Sequence, residues 1–245
     1  MSALSLLPVE GLPEVGPGDD LAALIADRFA FQRGDVLVVA QKIVSKAEGR
    51  IRSLAGVTPG EEARELARGL DADARFVQAI LDESVRIVRR ERVLIVETRQ
   101  GYVCANAGID HSNVTGDEAQ VLLLPEDCDR SAACLREGLA ARGAPEVGVI
   151  VADTFGRAWR TGIVNVALGV AGLAPLIDYR GQPDDHGRIL QATVVAVADE
   201  LAAAAELVMG KVRRVPAVVV RGWSATAPPG TGRDLIRPAE QDLFR

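Results

Sequence analysis

Two short polar segments of this chain carry the side chains best suited to metal and phosphate chemistry. In the first, an apolar run at residues 149–152 leads directly into Asp153 and Thr154. In the second, Asp110 is followed by a histidine, a serine and Asn113. Carboxylate and hydroxyl oxygens are hard ligands of the kind that Mg²⁺ and Mn²⁺ prefer. Two such loops could hold one metal–phosphate group between them, although the same residue types also cap helices and form turns.

Candidate phosphate-binding groups lie in other parts of the chain. Lys42 and Lys46 follow an apolar run at residues 36–40. A lysine at the end of a strand can sit against phosphate oxygens as a point charge, or it can simply be solvated. Residues 230–233 could offer backbone N–H groups and an arginine to an anion, or form a surface turn. The sequence contains neither a GxxxxGK[ST] P-loop nor a GxGxxG fingerprint after a strand, so another device must hold any nucleotide.

The remaining candidate side chains have less specific patterns. Trp159 lies between Arg157 and Arg160, which fits a ligand-facing loop or an aromatic anchor in the core. A lone histidine such as His111 is more often a hydrogen-bonded structural residue than a base. His186 lies in a polar segment that predicts an exposed turn. Neither histidine is therefore assigned to catalysis.

Composition bounds the class of protein. The chain has 245 residues, 48% of them apolar, and a formal net charge of −6 without a dense basic run. Because binding to nucleic acid needs a basic face, the composition argues against such a partner. Its three cysteines, Cys104, Cys128 and Cys134, show no CxxC spacing and fit reduced thiols. No apolar run reaches about 18 residues and no signal peptide is evident, so we expect no membrane span and a cytoplasmic location.

The pattern of apolar residues predicts a mixture of strands and helices. Strands are expected at residues 4–8, 36–40, 121–125, 147–152, 191–198 and 217–222, with a hairpin at 93–97 and 101–104. Helices are expected at residues 19–29, 61–70, 73–88, 129–142 and 199–209. Residues 162–174 fit either type. Because strands and helices do not alternate strictly, we predict an α+β or mixed α/β fold, with mixed sheets flanked by helices.

Several short segments, in order along nearly the whole chain, resemble one known family. They include Asn-Ala-Gly-Ile-Asp at 106–110 and Ala-Asp-Thr-Phe-Gly-Arg at 152–157. The others are residues 6–13, 34–39, 45–50, 112–114, 159–160, 199–201, 207–211 and 234–237. Together they are similar to the coenzyme F420-0:L-glutamate ligases, the γ-glutamyl ligases of deazaflavin coenzyme biosynthesis.

The resemblance implies a GTP-dependent ligation assisted by Mg²⁺ or Mn²⁺. The terminal carboxylate of coenzyme F420-0 would attack the γ-phosphate of GTP, and the amine of L-glutamate would then displace phosphate from the acyl phosphate. It also implies a homodimer with its cleft near the subunit interface, and it allows for a K⁺ requirement. The chain would form a single ligase unit, with room for two intertwined subdomains. Some bacterial relatives carry a reductase domain after the ligase domain, and we expect none here.

The same resemblance assigns roles to individual residues. Asp110, Asp153 and Thr154 match metal ligands, and Asp110, Asp153 and Lys46 match the catalytic groups. Residues of a nucleotide-binding set are expected at Leu12, Pro13, Glu14, Val15, Gln41, Lys42, Lys46, Asn113, Met209, Gly210 and Lys211, the last three within a loop at 209–215. Two positions depart from the family pattern: Gln41 and Lys42 stand where relatives commonly carry small hydroxyl residues. Lys211 stands where some relatives have a glutamine, and a protonated lysine cannot ligate a metal.

Two other functions remain open from sequence. A metal-dependent phosphohydrolase would use similar carboxylates without an amine acceptor. A non-catalytic protein that binds a nucleotide or a deazaflavin would consume no GTP. The number of glutamates added and the choice between Mg²⁺ and Mn²⁺ do not follow from the residues, because both metals accept the same oxygen ligands.

Overall fold

A computed structural model describes residues 3–110, 119–224 and 227–242 as a mixture of strands and helices. The strands are β1 (Ser5–Pro8), β2 (Val36–Ala40), β3 (Ile51–Ser53), β4 (Ser84–Arg89), β5 (Ile95–Thr98), β6 (Val103–Ala105), β7 (Gln120–Leu122), β8 (Gly148–Arg157), β9 (Arg160–Ala171), β10 (Ile177–Asp178), β11 (Val194–Val195) and β12 (Ala217–Arg221). The α-helices are α1 (Leu21–Ala26), α2 (Gln41–Ala47), α3 (Glu61–Leu70), α4 (Ala74–Asp82), α5 (Cys128–Ala141) and α6 (Val197–Met209). These elements confirm the predicted α+β class with mixed sheets.

The central sheet has five strands in the order β1-β12-β2-β8-β9. Its pairs are antiparallel except for β2 and β8, which run parallel. The parallel register places Val36 beside Gly148 and Ala40 beside Ala152. Residues that follow Ala40 and Ala152 therefore leave the parallel pair side by side, at the edge where ligands bind in many α/β proteins.

Helices cover both faces of this sheet. Along β2, Leu37 and Val39 belong to the apolar cluster with α1 and α5, whereas Val36 and Val38 belong to the cluster with α6. This division follows because successive side chains of a strand point to opposite faces. Strands buried on both faces need no polar alternation, which explains the uninterrupted apolar runs of β2, β8 and β12.

A third apolar cluster lies beside the sheet and fixes the position of Asp110. It packs α3 and α4 against the three-stranded sheet β4-β5-β6, and it includes Ile109 and Val121. The backbones of Asp110 and Leu122 exchange two hydrogen bonds, of 3.0 and 2.9 Å. Leu122 also pairs with Ile51 of β3, which follows α2 along the chain. Asp110 is thereby held next to α2.

The hairpin of β8 and β9 continues beyond the rest of the sheet. Pairing of β8 with β2 ends at Ala152, whereas its pairing with β9 continues to Arg157 and Arg160. Trp159 at the tip of the hairpin is 80% exposed, so it is not a core anchor. The hairpin also means that the sequence prediction of a loop after Ala152 is wrong.

The structure corrects two further element predictions and adds one helix. The helix expected at 73–88 ends at Asp82, and the remainder forms β4, because Ser84–Arg89 finds a pairing partner in β5. The strand expected at 191–198 is limited to Val194–Val195, since α6 begins at Val197. Helix α2 was not predicted at all. In the described ranges no helix is both long and apolar enough to cross a membrane.

The start of α5 lies so close to β9 that a glycine is required there. A Cβ on Gly169 would lie 1.9 Å from the carbonyl oxygen of Cys128. We expect Gly169→Ala to destabilise the protein by about 3 kcal/mol or more, because backbone must move to relieve an overpacked contact. Denaturant unfolding measures this. Gly69→Ala in α3, where a Cβ meets nothing within 4 Å, is the control and should be neutral or slightly stabilising. Equal midpoints for the two variants would contradict the expectation.

Candidate active site

A cleft of about 1280 Å³ opens at the end of the parallel strand pair. It is lined by the loop at 12–17, by the end of β2 and the first turns of α2, by residues 152–154 of β8, and by the end of α6 with the loop that follows. Most of the site residues predicted from sequence lie on its wall: Leu12, Pro13, Glu14, Val15, Gln41, Lys42, Lys46, Asp153, Thr154, Met209, Gly210 and Lys211. Residues from four distant parts of the chain thus meet in one place.

Asp153 lies on the wall of this cleft, and Asp110 contacts two other wall residues, Gln41 and Lys42. Asp153 follows Ala152 on β8, while Asp110 reaches the site through contacts with α2. Burial, followed by the negative charge of Asp110, raises the pKa of Asp153 to about 7. Burial also raises the pKa of Asp110, although the nearby Lys42 ammonium opposes that shift. The ionised form of each carboxylate is therefore unfavourable in the folded protein unless a further cation lies between the two.

Helix α2 orients Asp110 through its first two side chains. The Nε2 amide of Gln41 donates to Asp110 Oδ2 at 3.1 Å, and Lys42 Nζ lies 3.2 Å from Asp110 Oδ1. Gln41 is fully buried, and its Oε1 accepts a hydrogen bond of 2.9 Å from the Ser45 hydroxyl. Ser45 thus holds the Gln41 amide with its Nε2 toward Asp110, and Lys42 forms an ion pair with the same carboxylate. This gives the two residues that depart from the family pattern a concrete role in holding the carboxylate.

Lys46 is a buried cation with an exposed anionic partner. Its side chain is only 8% exposed, so it is not a solvated surface lysine. Its ammonium pairs with Glu14, whose side chain is 70% exposed. Arg214 approaches the other oxygen of the same carboxylate at 3.8 Å. Glu14 therefore links the loop at 12–17 to both basic residues across the cleft mouth.

Thr154 is surrounded by polar groups on its own side of the cleft. Its hydroxyl lies 2.6 Å from Oδ1 of Asn165 on β9, and it accepts a hydrogen bond from Lys211. Lys211 also pairs with Glu206 at 2.9 Å. Sequence reasoning missed Asn165 and Glu206. A polar residue inside the apolar run of β9 was the available signal for Asn165.

The chain is similar to known proteins over nearly its whole length. The family model for F420-0:gamma-glutamyl ligase matches residues 11–222. This chain belongs to the F420-0:gamma-glutamyl ligase family. The coenzyme F420:L-glutamate ligase of Methanothermobacter thermautotrophicus is 48% identical over 251 residues, which cover 99% of each chain. The enzymes of the same name from Archaeoglobus fulgidus and Methanopyrus kandleri are 46% and 45% identical, and the alignments cover 99% and 100% of this chain and 96% and 100% of theirs.

The glycine-rich segment at 230–233 and His186 do not line the cleft. The backbone N–H of Gly232 donates to Asp129 Oδ1 at 2.6 Å, so the glycine-rich segment binds a carboxylate of the protein itself. His186 lies in an exposed turn, as predicted. The three cysteines are free thiols, and burial raises the pKa values of Cys104 and Cys128 to about 12. His111 and Asn113 fall outside the described residues, so the predicted nucleotide contact at Asn113 stays a prediction.

The donor set of the cleft fits a hard divalent cation. Asp110, Asp153 and Thr154 offer oxygens, which Mg²⁺ and Mn²⁺ accept. Within residues 3–110, 119–224 and 227–242, no group of three or more His, Cys, Asp and Glu side chains has the arrangement of a metal site. Two carboxylates and a hydroxyl would leave coordination positions for water and phosphate oxygens, which is how Mg²⁺ commonly binds beside nucleotides.

Proposed function

We propose that this protein is a GTP-dependent ligase that joins L-glutamate to the terminal carboxylate of coenzyme F420-0. The observation that carries the proposal is a cleft lined by Asp153 and Lys46, with Asp110 bonded to Gln41 of its wall, in a chain that matches F420:L-glutamate ligases over nearly its full length. A carboxylate is a poor acyl donor near neutral pH, so ligation needs an activating group. Phosphorylation supplies one.

The reaction has two balanced steps. A carboxylate oxygen of coenzyme F420-0 attacks the γ-phosphorus of GTP, forming an acyl phosphate and releasing GDP. The amine of L-glutamate then attacks the acyl carbon, the C–O bond to phosphate breaks, and the amine loses a proton as the amide forms. Such transfers depend mainly on positioning and charge neutralisation.

The side chains divide these tasks between them. Asp110, Asp153 and Thr154 would hold Mg²⁺ or Mn²⁺, which when bound neutralises phosphate charge as a Lewis acid. Lys46 binds a phosphate oxygen once Glu14 has left its ammonium, because a buried point charge needs an anionic partner. Lys42 and Lys211 oppose the rise in the pKa values of both aspartates, which favours the ionised form that a metal needs. Leu12, Pro13 and the 209–215 loop form the remaining nucleotide wall. We also propose a K⁺ requirement, which the family resemblance implies.

We further propose that the protein acts as a homodimer. Large apolar side chains stand exposed on the β8–β9 hairpin and around the end of α6, namely Trp159, Ile163, Leu207 and Val212. Exposed apolar side chains of this size favour association with another surface. A second copy of this chain is the partner that the family resemblance implies, and sedimentation would measure the oligomeric state.

A mass-spectrometric assay tests the proposed reaction. Purified protein is incubated with GTP, Mn²⁺, L-glutamate and coenzyme F420-0. The expected product is heavier by one or more glutamyl units, with one GDP released for each unit. Phosphate release independent of glutamate and coenzyme would instead identify a phosphohydrolase. GTP binding without turnover would identify a binding protein. ATP in place of GTP is the control for nucleotide choice.

A further inference from the structure

Asn165 is a buried polar residue beside the proposed metal site. The mechanism proposed above gives it no role. It lies directly opposite Thr154 in the antiparallel pair of β8 and β9, so both side chains project from the same face. It is only 3% exposed, although the strand around it is mostly apolar. A buried amide at this position costs free energy unless its hydrogen bonds are made, which suggests a purpose beyond packing.

The hydrogen bonds around Thr154 fix where its hydroxyl proton points. The Thr154 hydroxyl oxygen and Asn165 Oδ1 are 2.6 Å apart, and only the hydroxyl can donate between two such oxygens. Asn165 Nδ2 donates to the sulfur of Met209 at 3.8 Å, which keeps Oδ1 turned toward Thr154. A flipped amide would place its oxygen against that sulfur, so that two acceptors would face each other.

Within the described part of the chain, the Thr154 hydroxyl oxygen keeps one lone pair that no hydrogen bond uses. A hydroxyl has one proton and two lone pairs. Its proton is given to Asn165, and one lone pair accepts the hydrogen bond from Lys211. The second lone pair remains, and no proton competes with it. A cation held by Asp153 would therefore meet a ready oxygen donor at Thr154.

We propose that Asn165 is a positioning residue that orients the Thr154 hydroxyl for a divalent cation. Its action passes through Thr154 and needs no contact with the cation itself. Outer partners of this kind commonly set metal affinity, since they fix the orientation of the ligand and its basicity. This inference rests on the proposed function, because it presumes the metal site at Asp110, Asp153 and Thr154.

A double-mutant cycle read by Mn²⁺ binding tests the inference without relying on turnover. Free Mn²⁺ is measured by electron paramagnetic resonance with Asn165→Leu, Thr154→Val and the double variant. We expect Asn165→Leu to weaken Mn²⁺ binding about 10- to 100-fold, the usual effect of losing such a partner. In the Thr154→Val background the same change should have no effect, because there is no hydroxyl left to orient. In a Thr154→Ser background, which keeps the hydroxyl, the full effect should return.

The outcomes separate this inference from the proposed function. Equal weakening by Asn165→Leu with and without the Thr154 hydroxyl would show a structural role and overturn the inference, as would wild-type affinity for the single variant. A wild-type protein that binds no Mn²⁺, with or without GTP, would overturn it too. Failure of the ligation assay alone, with the cycle as expected, would reject only the ligase. Should the leucine variant not fold, Asn165→Ala removes the same acceptor without adding bulk.

Discussion

Replacing Asp153 by asparagine is expected to abolish ligation and, at the same time, to stabilise the metal-free protein at pH 8. Both effects have one cause. Burial and the charge of Asp110 raise the pKa of Asp153 to about 7, so the ionised form is unfavourable in the folded chain without a cation. Asparagine has nearly the same shape and no charge. It removes a proposed metal ligand and the buried charge together, and we expect activity to fall about 10³-fold, as for loss of a principal electrostatic group.

The sign of the pH dependence follows from the raised pKa. Between the ordinary pKa of an unfolded aspartate, about 3.9, and the folded value, the folded protein binds more protons than the unfolded protein. The contribution of Asp153 to the free energy of unfolding is therefore greatest below about pH 4, and it decreases as the pH rises toward 7. The upper bound on this loss is about 4 kcal/mol, since one pKa unit corresponds to about 1.4 kcal/mol.

Thermal melting of the metal-free proteins from pH 4 to pH 8 measures this effect. The advantage of Asp153→Asn over the wild type should grow with pH and level off above about pH 7. Added Mn²⁺ should raise the melting temperature of the wild type and not that of the variant. Asp185→Asn, an exposed change outside the cleft, is the control and should alter neither activity nor melting. A pH-independent difference, or near-normal ligation by Asp153→Asn, would contradict the assignment.

Changes at Lys46 and Glu14 are expected to shift GTP affinity in opposite directions. In the protein without nucleotide, the buried Lys46 ammonium is neutralised by the Glu14 carboxylate. A phosphate that binds Lys46 must displace that carboxylate. Lys46→Met removes a charge-assisted hydrogen bond worth about 1.5–3 kcal/mol, so GTP should bind about 10- to 100-fold more weakly.

Glu14→Gln removes the competing anion but keeps the shape of the side chain. Because Glu14 is mostly exposed, its attraction for Lys46 is screened by solvent. The gain should therefore be modest, about 2- to 5-fold tighter binding of GTP, as for pairs worth up to about 1 kcal/mol. The gain should also shrink as salt is added.

Titration calorimetry with a non-hydrolysable GTP analogue measures both variants. Arg33→Gln breaks an exposed ion pair with Glu146 elsewhere on the chain, and it should leave the affinity unchanged. Weaker binding by Glu14→Gln would mean that the carboxylate itself contacts the nucleotide, for example through a ribose hydroxyl, and would reject the displacement model. Unchanged binding by Lys46→Met would remove Lys46 from the phosphate site.

Strand positions were accessible from sequence because the signal is local. The apolar runs at 36–40 and 217–222 predict buried strands, and the structure has β2 and β12 there. The failure at 84–89 has a physical reason. The apolar residues Phe76, Ile80, Leu81 and Val88 also fit one helix face. Residues 84–89 form a strand because they pair with β5, which the local pattern does not show.

The sequence by itself determined the family, whereas the tertiary structure decided how the candidate groups are arranged. Acidic, hydroxyl and lysine side chains after apolar strands already indicated metal and phosphate binding, because side-chain chemistry is a local property. The parallel register of β2 and β8, the burial of Lys46 against Glu14, and the contact of Asn165 with Thr154 depend on segments far apart in the chain. Such contacts form only when the fold brings those segments together, so no local pattern encodes them.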